Sequence, residues 1–147
     1  MTYCHHVITV NGRSHYDLES TVTESRDFAG RLLTRLNGTE RYSLVLGPLP
    51  RGKALDQVDA KLWPLEYIQV AGSSDAMTVE IREGRGDEAC QYVVGHSTEH
   101  EDEPHVTIPW NGYETTVYPD EVFDAGEATE LFAYYLEHSS VPPPYSL

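Results

Sequence analysis

The chain has 147 residues, of which 39% are hydrophobic and 10% aromatic, including ten tyrosines. That is enough apolar material for one domain with a single core, and too many aromatics for a disordered chain. The formal charge of -14, the two widely separated cysteines and the lack of any apolar run near ~20 residues argue against a nucleic-acid binder, a disulfide-stapled domain and a membrane-spanning helix.

The charge is uneven. Residues 74–147 hold sixteen acidic residues against two basic ones, Arg82 and Arg85, while residues 1–73 hold eight of each, so the whole excess lies in the second half. Such a field repels anionic polymers and attracts basic surfaces, and it also keeps a protein soluble. The opening Met1-Thr2-Tyr3-Cys4-His5-His6 has no basic region followed by an apolar stretch, so no signal peptide is expected. Cys4 and Cys90 read as free thiols in a reducing cytosol.

In chain order, His6 to Val10 reads as a strand, and Asn11-Gly12 as a tight turn, because both residues accept positive φ. Ser14 to Leu18 is its return strand. Thr21 and Glu24 have the spacing of a capping box, and Val22, Phe28, Leu32, Leu33 and Leu36 then recur at helical spacing. Asn37-Gly38 is the stop, which predicts a helix over about 21–36. Tyr42 to Leu46 follows as a strand, broken by the Gly47 to Gly52 segment. Leu65 to Val70, Ala76 to Ile81 and Glu88 to Val94 read as strands, the last two joined by a turn at Glu83 to Asp87. His105 to Trp110 and Tyr113 to Tyr118 form a hairpin through Asn111-Gly112, and Pro109 places the first near a sheet edge. Asp124 caps a second helix over about 124–138, with Ala128, Leu131, Phe132, Tyr135 and Leu136 as its apolar face. Residues 139–147 form an extended tail, since Pro142-Pro143-Pro144 cannot be helical. The expected fold is a single α+β domain over residues 1–147. It has one antiparallel sheet of about five to six strands, two helices packed on one face and the other face open to a partner.

The residues that invite chemistry are weak candidates. His96 and His100 have helical metal-site spacing and His105 follows, but Glu99-His100-Glu101-Asp102-Glu103 lacks an apolar stripe to hold a helix. No metal site and no cofactor are therefore expected. Cys4 beside His5 and His6 cannot form a facing pair on a strand, where side chains alternate. Gly84-Arg85-Gly86 lies between strands rather than before a helix, so it is no phosphate loop. No catalytic residues are assigned. Pro142-Pro143-Pro144-Tyr145 is similar to the proline-tyrosine ligands of small aromatic-groove domains, although a chain end packed on the sheet accounts for it as well.

Four stretches carry a family likeness: the helix Thr23 to Leu36, the hairpin around Gly84 to Val94, the passage Thr116-Val117-Tyr118-Pro119-Asp120-Glu121-Val122, and the helix Glu127 to His138 with Val141-Pro142-Pro143. In these the chain resembles the first-numbered family of bacterial immunity proteins (Imm-one) of polymorphic toxin systems. It departs from the family in having Tyr145, not a tryptophan, after the terminal prolines. The resemblance implies a cytosolic antidote that binds and blocks a cognate toxin, often a nucleic-acid deaminase. Such a toxin needs a basic surface to hold DNA or RNA, and the acidic half of this chain would compete for it. The expected contact residues are Glu99, Glu101, Asp102 and Glu103, with Glu83 and Asp87, and with Trp110 or Tyr113 as an apolar anchor. Two other readings stand beside this one: a small metal-dependent enzyme using His96, His100 and His105, and a structural homo-oligomer subunit.

Overall fold

The computed structural model describes residues 6–18, 21–48, 66–83, 90–96, 103–104, 106–138, 140–142 and 145. His6–Val10 (β1) and Ser14–Leu18 (β2) form the first hairpin. Its turn places Asn11 and Gly12 at φ 54 and 69, the positive values that Asn and Gly tolerate. Val22–Thr34 (α1) follows, capped by the Thr21 hydroxyl, which accepts from the Glu24 N–H at 3.2 Å. It ends before Gly38, whose φ of 81 turns the chain away. The Asn37 side-chain oxygen then accepts from the N–H groups of Thr39, Glu40 and Arg41 and fixes the exit loop.

Ser43–Pro48 (β3), Tyr67–Gly72 (β4), Met77–Glu83 (β5) and Cys90–Val93 (β6) complete a six-stranded antiparallel sheet in the order β2-β1-β3-β4-β5-β6. The sequence expects a break at Gly47, yet β3 runs on to Pro48. Pairing with β4 stops at Leu46, so the missing proline N–H costs nothing on that side. Val106–Trp110 (β7) and Tyr113–Val117 (β8) form a separate two-stranded sheet. The expected single meander is thus divided in two.

After β8 the chain makes a short 3-10 turn at Pro119–Glu121 and enters Ala125–His138 (α2), where the Asp124 carboxylate accepts from the Glu127 N–H at 2.9 Å. Register aligns Ile8, Leu46, Ile68 and Ile81 in one row, which with Leu44, Val70 and Val79 supplies the sheet's side of the core. Ala29, Leu33 and Leu36 of the first helical region and Ala128, Leu131, Phe132 and Tyr135 of α2 supply the other side. Burying each large side chain contributes roughly 1.5–3 kcal/mol. Both helices therefore cover one face, as the apolar stripes predict.

The opposite face is less open than expected. Val7 and Thr9 of β1 and Thr78 of β5 are buried there, and Tyr67, Gln91 and Glu80 form a hydrogen-bonded polar row towards β6. Among the described residues of that face the exposed ones lie at its two edges, Gln91 and Val93 of β6 and His15 of β2.

Candidate functional site

The β7–β8 hairpin has a fixed base and a projecting tip. Ile108 is fully buried, and its Cγ2 lies 2.7 Å from where a Cβ on Gly72 would stand, so glycine is what lets the hairpin seat against the end of β4. The Asn111 N–H donates to the Gly38 carbonyl at 3.0 Å, tying the hairpin turn to the loop after α1. Asn111 and Gly112 take φ of 52 and 82, so the tip is a tight two-residue turn.

Trp110 and Tyr113 flank that turn as opposed residues. Their rings stack with centroids 5.1 Å apart and planes 30° apart. The Trp110 Nε1–H donates to the Thr115 hydroxyl at 2.9 Å, which satisfies its one polar atom within the hairpin. Trp110 is half-buried and Tyr113 is 62% exposed. A large aromatic held at such a tip loses little entropy on contact with another surface.

The described acids expected around this pair are not brought to it. Glu103 is exposed but precedes β7 at the end opposite Trp110, while Glu114, which the sequence reading did not single out, is exposed next to Tyr113. Glu83 ends β5, while the hairpin seats near Gly72, which pairs with Met77 at the start of β5. Six residue steps of ~3.3 Å put Glu83 about 20 Å further along that strand, so it does not share the tip's surface. Asp87, Glu99, Glu101 and Asp102 lie outside the described residues, as do Cys4, His100 and His105.

A second constellation escaped the sequence reading because its members are 31 and 18 residues apart. His96 stacks on the buried Phe123 ring at 4.5 Å. Its Nδ1 lies 2.6 Å from the Asp120 carbonyl oxygen, and its Nε2 lies 2.9 Å from both Glu127 oxygens. Both partners are acceptors, so the pocket favours the form of the ring that carries a proton on each nitrogen. Burial opposes that charge, but the Glu127 carboxylate and the Asp120 carbonyl outweigh it and raise the His96 pKa. Tyr145 donates to Glu127 at 2.6 Å and packs against His96 and Phe123. Burial first, and then the Glu127 carboxylate, push its hydroxyl up to about 12. Of the tail, Tyr145 packs at the start of α2 and against the core beside Phe123.

Held at both ring nitrogens, His96 ties the segment after β6 to Asp120, to the start of α2 and to Tyr145. Among the described residues no group of three or more His, Cys, Asp or Glu side chains is arranged to hold a metal ion, and Cys90 is an exposed free thiol. Nor, among them, is any helix long and apolar enough to cross a membrane. Comparison with protein-family models, with curated proteins and with solved structures finds no match for this chain. The likeness to the Imm-one family rests on the sequence features alone.

Proposed function

We propose that this protein is a cytosolic antidote that binds and blocks a basic protein toxin of the nucleic-acid deaminase class, with the β7–β8 tip as the anchor of the contact. The observation that carries the reading is the stacked Trp110–Tyr113 pair, displayed on a turn whose base is fixed by Ile108 and Gly38. Tryptophan and tyrosine dominate binding energy where they are desolvated, while exposed charges chiefly set association rate. The excess charge of residues 74–147 supplies the second part. Steering of this kind speeds encounter by roughly 10- to 1000-fold at low salt. Glu103 and Glu114 contribute to it from described positions, and Glu83, Asp87, Glu99, Glu101 and Asp102 contribute by charge. The reading assigns no catalysis and no cofactor.

The test needs a cognate toxin domain, sought as a gene product encoded beside this one and purified as the partner. Tyr113→Ala should leave folding unchanged and speed dissociation on the order of 30-fold, the effect of losing about 2 kcal/mol at a hot spot. Replacing Glu99, Glu101, Asp102 and Glu103 with Gln or Asn should slow association and flatten its salt dependence. Parent-like dissociation of the Tyr113 variant and a parent-like salt slope of the acid variant would together remove the basis of the proposal.

A further inference from the structure

Among the described residues, a positively charged feature lies away from the hairpin tip, on the outer side of the two helices. A groove of about 560 Å3, largely open to solvent, runs between α1 and α2, lined by Arg26, Asp27, Arg31 and Arg35 and by the small residues Gly30 and Gly126. The helices approach closely at its floor, where a Cβ on Gly30 would stand 3.3 Å from Thr129. The acids at hand are already spent. Asp27 and Glu130 both pair with Arg26, and Asp124 caps the start of α2. Neither Arg31 nor Arg35 has an ion-pair partner among the described residues. Two guanidinium charges are left uncompensated, one helical turn apart and about 6 Å between Cβ atoms.

The same two arginines also form the wall of a second cavity, of about 240 Å3, whose other lining residues are Tyr16, Phe28 and Leu32. Tyr16 and Phe28 meet edge to face at 5.5 Å, and Tyr16 is 42% exposed, which leaves aromatic surface beside the cationic groove. A phosphate monoester carries about -1.5 to -2 charge near neutral pH, which matches two guanidinium forks where a single carboxylate would neutralise only one. A flat ring attached to that phosphate would lie against Tyr16 and Phe28. The acidity of the rest of the chain does not forbid this, because charges beyond about 8 Å are largely screened at physiological salt.

We propose that the adjoining cavities around Arg31 and Arg35 are a binding site for a nucleotide-class ligand, with the phosphate held by the two arginines and the base against Tyr16 and Phe28. Arg26, fixed by Glu130 and Asp27, borders the phosphate end.

The experiment titrates the purified chain, with no protein partner present, with adenosine 5′-monophosphate, inorganic phosphate, adenosine and a short polyglutamate peptide, read by calorimetry and by amide chemical shifts. The nucleotide should saturate one site, shift residues of α1 and the start of α2, and bind at least tenfold tighter than phosphate or adenosine. Arg31→Gln and Arg35→Gln should each weaken it by roughly tenfold, as expected for loss of a charged hydrogen bond. Tyr16→Ala should weaken the nucleotide about fivefold or more while leaving phosphate binding unchanged. Arg31 and Arg35 are exposed and Gln is a good helix former, so those two variants should melt like the parent, and Tyr16→Ala is compared at a temperature where its melt shows it folded. The absence of saturation below roughly 10 mM nucleotide would overturn the proposal. So would adenosine or polyglutamate binding as tightly as the nucleotide, or variants that bind it like the parent.

Discussion

Replacing Gly72 with alanine attacks the contact that positions the hairpin. A Cβ there would stand 2.5 Å from the Ala76 carbonyl oxygen, 2.7 Å from Ile108 Cγ2 and 2.9 Å from the Met77 Cα, at a φ of +130. Two of these three atoms are backbone and cannot swing aside, so either the β4–β5 turn opens or the hairpin lifts from it. Forcing a side chain into this region of φ costs roughly 1–3 kcal/mol, and overfilling a packed site roughly 1–3 kcal/mol more. The expected loss is about 2–5 kcal/mol, against a total stability on the order of 5–15 kcal/mol. Gly112→Ala is the control, because Gly112 also has positive φ, +82, but nothing lies within 4 Å of its Cβ position. It should cost only about 1 kcal/mol, from backbone strain. Urea denaturation of both variants separates the two terms, with a lowered midpoint and an unchanged slope. If Gly72→Ala is no worse than Gly112→Ala, the hairpin is not seated as described.

The His96 latch predicts a pH dependence. Its folded pKa is raised, so its stabilisation is fully present below about 6.5, the unfolded histidine value, and is lost as pH rises through the folded pKa. Stability of the parent should therefore fall as pH is raised from about 6 through the folded value, and His96→Gln should flatten that fall; an equal fall in both proteins would refute the assignment. Tyr145→Phe removes the donor to Glu127 and should release the tail, read as faster amide exchange at the Tyr145 N–H, which donates to the Pro142 carbonyl. Asp124→Ala removes the cap from the Glu127 N–H and should cost about 1 kcal/mol by thermal melting, while Asp124→Asn should retain most of it.

Much of the fold is legible along the sequence because local rules agree there. The first hairpin and both helices follow from alternation, from Asn-Gly pairs at positive φ and from caps at Thr21 and Asp124. What pairs with what is not local. Nothing in the pattern of residues 106–117 says that this hairpin stands apart from the main sheet, although Pro109 already withholds one donor from any strand that would pair with it. Trp110 and Tyr113 are visible as turn-flanking aromatics, but the separation of Glu83 from them is decided by β4–β5 register. The His96, Glu127 and Tyr145 cluster and the grouping of Tyr16 with Arg31 and Arg35 join distant segments, and no spacing motif announces either.

The central claim is that the β7–β8 tip enters the partner's surface. Hydrogen exchange of this protein, alone and saturated with a toxin domain that it is found to bind, tests it most directly. The account predicts slowed exchange at the amides of residues 110–115 on complex formation, with the β1–β2 hairpin unchanged. Protection confined to other elements, with residues 110–115 exchanging as in the free protein, would contradict it.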